Sequence, residues 1–139
     1  MTAAERWLAL VDAWFDKADG DLRAARACAA QQDVPASVVG FHLQQAVEKT
    51  RKGLLVLHGH EPPRLHQLDR LADLLVQAGG VSPFTLDLSA ELQPFAVEDR
   101  YPVLFPPAAD REELARHAVP VAAGLVAARG ALTRRRTAG

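Results

Sequence analysis

An arginine and an aromatic residue, Arg100 and Tyr101, stand directly before Pro102 in a proline-rich stretch of the chain. Because a proline restricts the residue before it, the pair would present a fixed cation and a ring on which a base can stack. Such a pair suits a ligand that joins a phosphate to a nucleobase. The alternative is that the ring belongs to the core and that Arg100 pairs with Glu98 or Asp99.

Cationic and hydrogen-bonding side chains also recur along residues 41–59. An imidazole or an amide can hydrogen-bond a base or a sugar, and a lysine can pair with a phosphate. No glycine-rich phosphate loop accompanies them. The predicted nucleotide-binding residues are therefore His42, Gln45, Lys49 and Lys52, together with Arg100 and Tyr101.

The same stretch, drawn as a helical wheel, has one apolar face for the core and an opposite arc of mixed character. Polar residues of both charges surround two apolar ones, Phe41 and Leu55. This mixture is typical of a protein interface, and from it we expect a homodimer. The alternative is that Glu48 and Lys52 form an ordinary i,i+4 pair on a solvated helix. The predicted interface residues are Phe41, Gln44, Glu48 and Leu55.

An arginine and a histidine close in sequence could also cleave a phosphodiester without a metal. Histidine transfers protons near neutral pH, and a guanidinium stabilises the charge that develops on the phosphorane. Arg111 and His117 form one such combination. Arg51 and His58 form another, and would lie on nearly one helical face. Because such spacings also arise by chance, no catalytic residue is assigned, and Arg111 with His117 is kept as the alternative. In the competing interpretation His117 is a partly exposed helix residue and Arg111 neutralises a neighbouring glutamate.

No metal or cofactor is expected from the sequence. His58, His60 and His66 are close together, but a glycine and two prolines place them on a turn where Glu61 is the only nearby carboxylate. Cys28 is the only cysteine, so neither an internal disulfide nor a cluster of thiolate ligands can form.

Helical signals follow one another along the chain, and no segment alternates apolar and polar residues as a strand would. Capping residues predict helix starts at Thr2 and Asp110, and Asp33 with Pro35 predicts the start of the second helix, with the aspartate as a cap and the proline in the first turn. Pro94 predicts a break in the fourth. The expected fold is an all-α, antiparallel up-and-down bundle of about five helices that forms one domain over residues 1–139.

Length and composition are those of a globular domain, with 139 residues of which 49% are hydrophobic and 24% charged. The formal net charge of −1 gives no overall field that would draw the protein to nucleic acid or to an anionic membrane. Any such binding needs a local patch. No apolar run approaches the length of about 18 residues that spans a bilayer, and the N-terminus lacks the pattern of a secretory signal. We expect a cytoplasmic protein that does not bind a membrane.

Short blocks occur in a characteristic order along the chain, and they are Asp21-Leu22, Ala24-Ala25, His42, Gln44-Gln45-Ala46, Glu48-Lys49, Lys52, Gly59, Pro62-Pro63, His66 to Leu68 and Arg100-Tyr101-Pro102. Their order and spacing resemble the HEPN domain family (higher eukaryotes and prokaryotes nucleotide-binding), whose members are small helical bundles. The resemblance covers most of the chain. It departs mildly at residues 65–68, which read leucine, histidine, glutamine, leucine where many relatives have threonine, histidine, aspartate, leucine.

The resemblance implies two classes of function. Some members look like the partner of a minimal nucleotidyltransferase, or like the helical substrate-binding domain of larger ones. Others are metal-independent ribonucleases, often toxins, in which a short spacer separates an arginine from a histidine. We expect the first class, a nucleotide- or RNA-binding accessory partner in a toxin–antitoxin-type pair. The first alternative is a ribonuclease toxin that uses Arg111 and His117, although Glu112 stands where a small polar residue usually follows the arginine. The second alternative is a non-catalytic dimeric scaffold.

Overall fold

The structure, a computed structural model, describes residues 1–96 and 109–139. These residues form five α-helices and one short 3₁₀ turn, and no strand occurs among them. The elements are α1 (Ala3–Ala29), α2 (Ala36–Leu57), α3 (Leu68–Gln77), α4 (Leu86–Leu92), the 3₁₀ turn Gln93–Phe95 and α5 (Arg111–Ala138). The prediction of an all-α helical bundle is confirmed.

Side-chain caps set the beginnings of the two longest helices. The Thr2 hydroxyl accepts from the Glu5 amide at 3.1 Å, and the Glu5 carboxylate accepts from the Thr2 amide at 2.6 Å, which is the reciprocal capping box that the sequence predicts. The Asp110 carboxylate likewise accepts from the first backbone amides of α5. The predicted Asp33 cap is wrong, because Pro35 occupies the N-cap of α2 and makes no side-chain cap bond.

The predicted break at Pro94 is confirmed. Helix α4 begins after Thr85, whose hydroxyl accepts from the Leu88 amide, and it ends at Leu92. Pro94 lies in the 3₁₀ turn that follows, because its ring and missing N–H do not fit a continuing α-helix.

Helix α2 lies at the centre of the bundle and packs against each of the other four helices. Two glycines allow close approach to it. A Cβ added to Gly53 would lie 2.5 Å from the Phe15 ring of α1, and one added to Gly40 would lie 2.5 Å from the Phe95 ring. The central position of α2 decides which of its polar residues can reach solvent.

None of the described helices combines the length and the apolar character that a membrane crossing requires.

Candidate functional site

The polar flank of α2 that was predicted to be an interface is largely buried within the chain itself. Gln44 exposes 0%, Glu48 3% and Leu55 2% of its surface. These side chains cannot contact a second molecule, because the surrounding helices of the same chain already cover them. The interface prediction is therefore wrong for Gln44, Glu48 and Leu55, whereas Phe41 is partly exposed.

Asp21 of α1 binds two of the predicted nucleotide-binding residues of α2. His42 Nδ1 lies 2.9 Å from one oxygen of the Asp21 carboxylate, and Lys49 Nζ lies 2.5 Å from the other. The side chains of His42 and Lys49 are each 25% exposed, and that of Asp21 is 11% exposed. The lysine and the histidine are two helical turns apart and share a face of α2. Solvent therefore reaches both side chains, and the Asp21 carboxylate pairs with the Lys49 ammonium and with the His42 ring.

Glu48 is a buried acceptor for several neighbours. Its carboxylate lies 3.3 Å from Lys52 Nζ and 3.1 Å from His66 Nδ1. It also accepts from the Gln44 amide at 3.4 Å, and the Gln45 amide in turn donates to Gln44 Oε1 at 2.8 Å. Only 7% of the Lys52 side chain is exposed. Lys52 is thus held by an internal ion pair, while Gln45 remains partly exposed.

A tryptophan of α1 lies beside these groups. The Trp14 ring centre is 5.5 Å from Lys17 Nζ and 5.9 Å from Lys52 Nζ, within the range of cation–π attraction. The i, i+3, i+7 spacing of Trp14, Lys17 and Asp21 places them on one stripe of α1. We call the two facing stripes the α1–α2 seam, which consists of Trp14, Lys17 and Asp21 on α1 and of His42, Gln45, Lys49 and Lys52 on α2.

The predicted nucleotide-binding residues fall into two groups. Arg100 and Tyr101 lie outside the described residues. The other predicted residues, His42, Gln45, Lys49 and Lys52, come together on the seam. The residues that α1 contributes to the seam were not predicted from the sequence. A signal for them existed in the helical spacing of Trp14, Lys17 and Asp21. The seam offers a partly exposed lysine, a partly exposed histidine, an amide and an aromatic ring on facing stripes of α1 and α2.

Arg51, which the sequence pairs with His58 as one possible catalytic combination, is fully buried. Its Nε donates to Ser82 Oγ at 3.0 Å and its Nη1 to the Leu68 carbonyl at 2.9 Å. Its Nη2 donates to Ser89 Oγ at 2.8 Å, and its guanidinium lies 5.6 Å from the Phe84 ring centre. Arg51 thus ties α2 to α3, to α4 and to the connection between them.

Burial lowers the pKa of Arg51 to about 10, and the Asp69 carboxylate opposes this effect only in part. His58, which follows the end of α2, is exposed. Since the guanidinium of Arg51 is committed to internal acceptors, it is not available to act with His58 on a substrate.

The alternative catalytic residues Arg111 and His117 make separate contacts. Arg111 Nη1 donates to the Cys28 carbonyl at 3.0 Å, and its Nη2 donates to the Val34 carbonyl. These bonds join the first turn of α5 to the end of α1 and to the α1–α2 connection. His117 Nε2 instead lies 2.6 Å from the Glu91 carboxylate of α4. Among the described residues, Arg111 and His117 therefore contact different partners.

His117 belongs to a group that could hold a metal ion. Glu91, Glu113 and His117 each offer one ligand atom, and these atoms lie within 4.8 Å of one another. The three residues line a cavity of about 190 Å³ that Asp110 also borders. This group was not predicted from the sequence, where only the histidines after α2 suggested a metal site. Its members come from two helices that are distant in sequence.

Comparison with curated proteins and with solved structures gives no match to this chain. The family model of the HEPN domain matches residues 11–130, which is most of the chain and includes the whole seam. Membership supports a function related to nucleotides or RNA. The match and the all-helical architecture agree with the resemblance seen in the sequence, and the chain belongs to the HEPN domain family.

Proposed function

We propose that this protein binds a nucleotide or an RNA end along the α1–α2 seam and acts as the accessory partner of a minimal nucleotidyltransferase, in a toxin–antitoxin-type pair. Membership of the HEPN family supports a ligand of this class. One observation carries the location: Lys49 and His42 share a partly exposed face of α2, and both contact the carboxylate of Asp21.

The ligand would engage the seam through its phosphate. Phosphate oxygens can replace the Asp21 carboxylate as acceptors for Lys49 and His42, since both anions accept charge-assisted hydrogen bonds. The Gln45 amide can then hydrogen-bond a base or a sugar, and the face of Trp14 offers a surface for stacking. Because Asp21 competes with the phosphate for the same cations, we expect a modest affinity that falls with added salt.

Because of this competition, two substitutions should change the affinity for the ligand in opposite directions. Lys49→Met removes one charge-assisted bond to phosphate, worth about 1.5–3 kcal/mol, and should weaken binding roughly 10- to 100-fold. Asp21→Asn removes the competing charge and should strengthen binding. Calorimetric titration with a panel of nucleoside triphosphates and a short RNA oligonucleotide measures both changes. Arg23→Met is the matched control, because Arg23 is an α1 cation with an 81% exposed side chain that pairs with Asp19 and lies off the seam.

The proposal also predicts that a bound ligand raises the melting temperature by mass action. It fails if neither the nucleotides nor the RNA move the melting temperature of the unaltered protein. The accessory role has a separate test, which is copurification with a small nucleotidyltransferase encoded beside it. If the protein binds nucleotide but no such enzyme copurifies with it, the proposed binding site is supported and the accessory role is refuted.

A metal-independent ribonuclease is the second candidate, and the position of His117 favours it. Glu91 lies 2.6 Å from Nε2 of His117 at the wall of a cavity, an arrangement that can orient a histidine for proton transfer. The committed guanidinium of Arg111 argues against it. This candidate predicts RNA cleavage in the presence of chelator that His117→Ala abolishes and that the exposed control His60→Ala preserves. If the RNA remains uncut, or if both variants cleave it equally, the ribonuclease function is refuted.

A further inference from the structure

Three side chains that can bind a metal meet between α4 and α5. Glu113 and His117 are four residues apart in α5, so they lie on the same face of that helix. Glu91 belongs to α4, and its Oε2 atom lies 2.6 Å from Nε2 of His117. One ligand atom from each residue lies within 4.8 Å of the other two. Two helices that are distant in sequence thus bring one imidazole and two carboxylates within reach of a single ion.

The cavity beside this group is acidic and has room for an ion with bound water. Its volume is about 190 Å³, several times the roughly 30 Å³ that one water molecule occupies in the liquid. Among its described lining residues, those with a formal charge are Glu91, Asp110 and Glu113, and each is a carboxylate. Carboxylates that share a site repel each other, and a cation relieves this repulsion.

The donor atoms favour zinc over magnesium or calcium. Magnesium and calcium take oxygen ligands, whereas an imidazole nitrogen suits zinc and its neighbours among the transition metals. An open zinc site has three protein ligands from histidine and carboxylate side chains, and water takes the fourth position. Tetrahedral ligands about 2.0–2.1 Å from zinc are about 3.3 Å from one another. Rotation of Glu91 and Glu113 can bring their oxygens to this separation, since both side chains are exposed.

We propose that Glu91, Glu113 and His117 bind one Zn²⁺ ion per chain and leave its fourth position to water. The imidazole carries the assignment, because it distinguishes the group from a set of solvated carboxylates. Its side chain is 19% exposed, and its Nε2 contacts Glu91 at the cavity wall. Bound zinc would tie α4 to α5. It would also occupy the nitrogen that a ribonuclease needs for proton transfer, so the two uses of His117 exclude each other. The proposal does not depend on nucleotide binding at the seam.

The experiment is a calorimetric titration of Zn²⁺ into protein that chelator and dialysis have freed of metal. The unaltered protein should bind one ion per chain. Loss of a group that only supports a metal ligand commonly lowers metal affinity about 10- to 100-fold, so loss of a ligand should cost at least about tenfold. Glu113→Gln and His117→Gln should each weaken Zn²⁺ binding by that factor. Glu112→Gln is the matched control and should leave the affinity unchanged, because it removes the same charge from an exposed neighbour outside the group.

Two further measurements locate the ion. His60→Gln alters the histidines that follow α2 and should leave Zn²⁺ binding unchanged. Mg²⁺ should bind the unaltered protein far more weakly than Zn²⁺, because imidazole is a poor ligand for it. The proposal is overturned by the absence of saturable Zn²⁺ binding, by a Glu112→Gln effect as large as that of Glu113→Gln, or by loss of binding in His60→Gln. Equal affinity for Mg²⁺ and Zn²⁺ also overturns it, since carboxylates alone would then attract the cation.

The zinc site can be tested separately from the seam. Nucleotide titration of His117→Gln in the presence of chelator should match that of the unaltered protein. A protein that binds nucleotide but not Zn²⁺ would refute the zinc site alone, and one that binds Zn²⁺ but no nucleotide or RNA would refute the proposed function alone.

Discussion

Replacement of Arg51 by methionine tests whether this residue holds the bundle together or binds a ligand. Methionine keeps an apolar stem of similar length but removes the three hydrogen bonds to Ser82, Leu68 and Ser89. Bonds from a charged donor contribute about 1.5–3 kcal/mol each. The replacement also removes the cost of burying a charge, which the lowering of the pKa to about 10 sets at roughly 3 kcal/mol.

The balance of these terms predicts that Arg51→Met lowers the free energy of unfolding by about 2 to 6 kcal/mol. A chain of this length should lose about 3 to 4 °C of melting temperature for each kcal/mol, so the melting temperature should fall by about 6 to 24 °C. Thermal unfolding followed by circular dichroism measures the change. Lys49→Met is the control, since Lys49 forms a partly exposed ion pair that contributes less than about 1 kcal/mol.

The pKa of Arg51 adds a dependence on pH with a defined sign. Because the pKa of Arg51 is lower in the folded protein than in the unfolded chain, the unfolded chain binds more protons above about pH 10. The contribution of Arg51 to the free energy of unfolding therefore rises with pH in this window. The difference in stability between the unaltered protein and Arg51→Met should be constant up to about pH 9 and should widen above pH 10. An Arg51→Met variant that melts like the unaltered protein but no longer binds nucleotide would refute the structural role of Arg51.

Three further substitutions test the packing of the helices. Gly124→Ala should destabilise the fold by about 1–2 kcal/mol, because the new Cβ would lie 2.1 Å from the buried Phe84 ring and overpacking outweighs the helix propensity gained; an unchanged denaturant midpoint would contradict this contact. Gly20→Ala should have the opposite sign and stabilise by about 1 kcal/mol, since no atom lies within 4 Å of the added Cβ, and a lower midpoint would count against the α1 packing. Trp7→Phe should cost about 1 kcal/mol through loss of the 2.6 Å bond from Nε1 to the Val56 carbonyl, and equal stability of the two proteins would speak against that bond.

Local signals were sufficient to predict most of the fold. Thr2 with Glu5 and Asp110 with the amides that follow it are contacts within one turn, so the residues that make them are adjacent in sequence. Pro94 acts through its own ring and missing N–H. Asp33 is the exception, because Pro35 took the cap position and began the helix without a side-chain bond.

The environment of α2 could not be predicted in the same way. A helical wheel places Gln44, Glu48 and Lys52 on one polar arc, but α2 is surrounded, and these three residues are buried where they bond to one another. Glu48 with Lys52 and Arg51 with Ser89 are examples of polar groups whose partners make burial tolerable. The i,i+4 spacing of Glu48 and Lys52 was visible in the sequence, but their burial depends on the other helices.

For a related reason, only the α2 residues of the seam could be predicted from the sequence. His42 and Lys49 share a stripe by spacing alone, whereas their pairing with Asp21 depends on how α1 and α2 align. That alignment follows from long-range packing, such as the close approach of Phe15 to Gly53.

The central claim is that the seam binds a phosphate-bearing ligand in competition with Asp21. The most direct measurement is the dissociation constant of one nucleoside triphosphate, determined side by side for the unaltered protein, Asp21→Asn and Lys49→Met. Competition between Asp21 and the phosphate predicts tighter binding for Asp21→Asn and weaker binding for Lys49→Met. Equal dissociation constants for all three proteins, with the fold of each intact by circular dichroism, would contradict it.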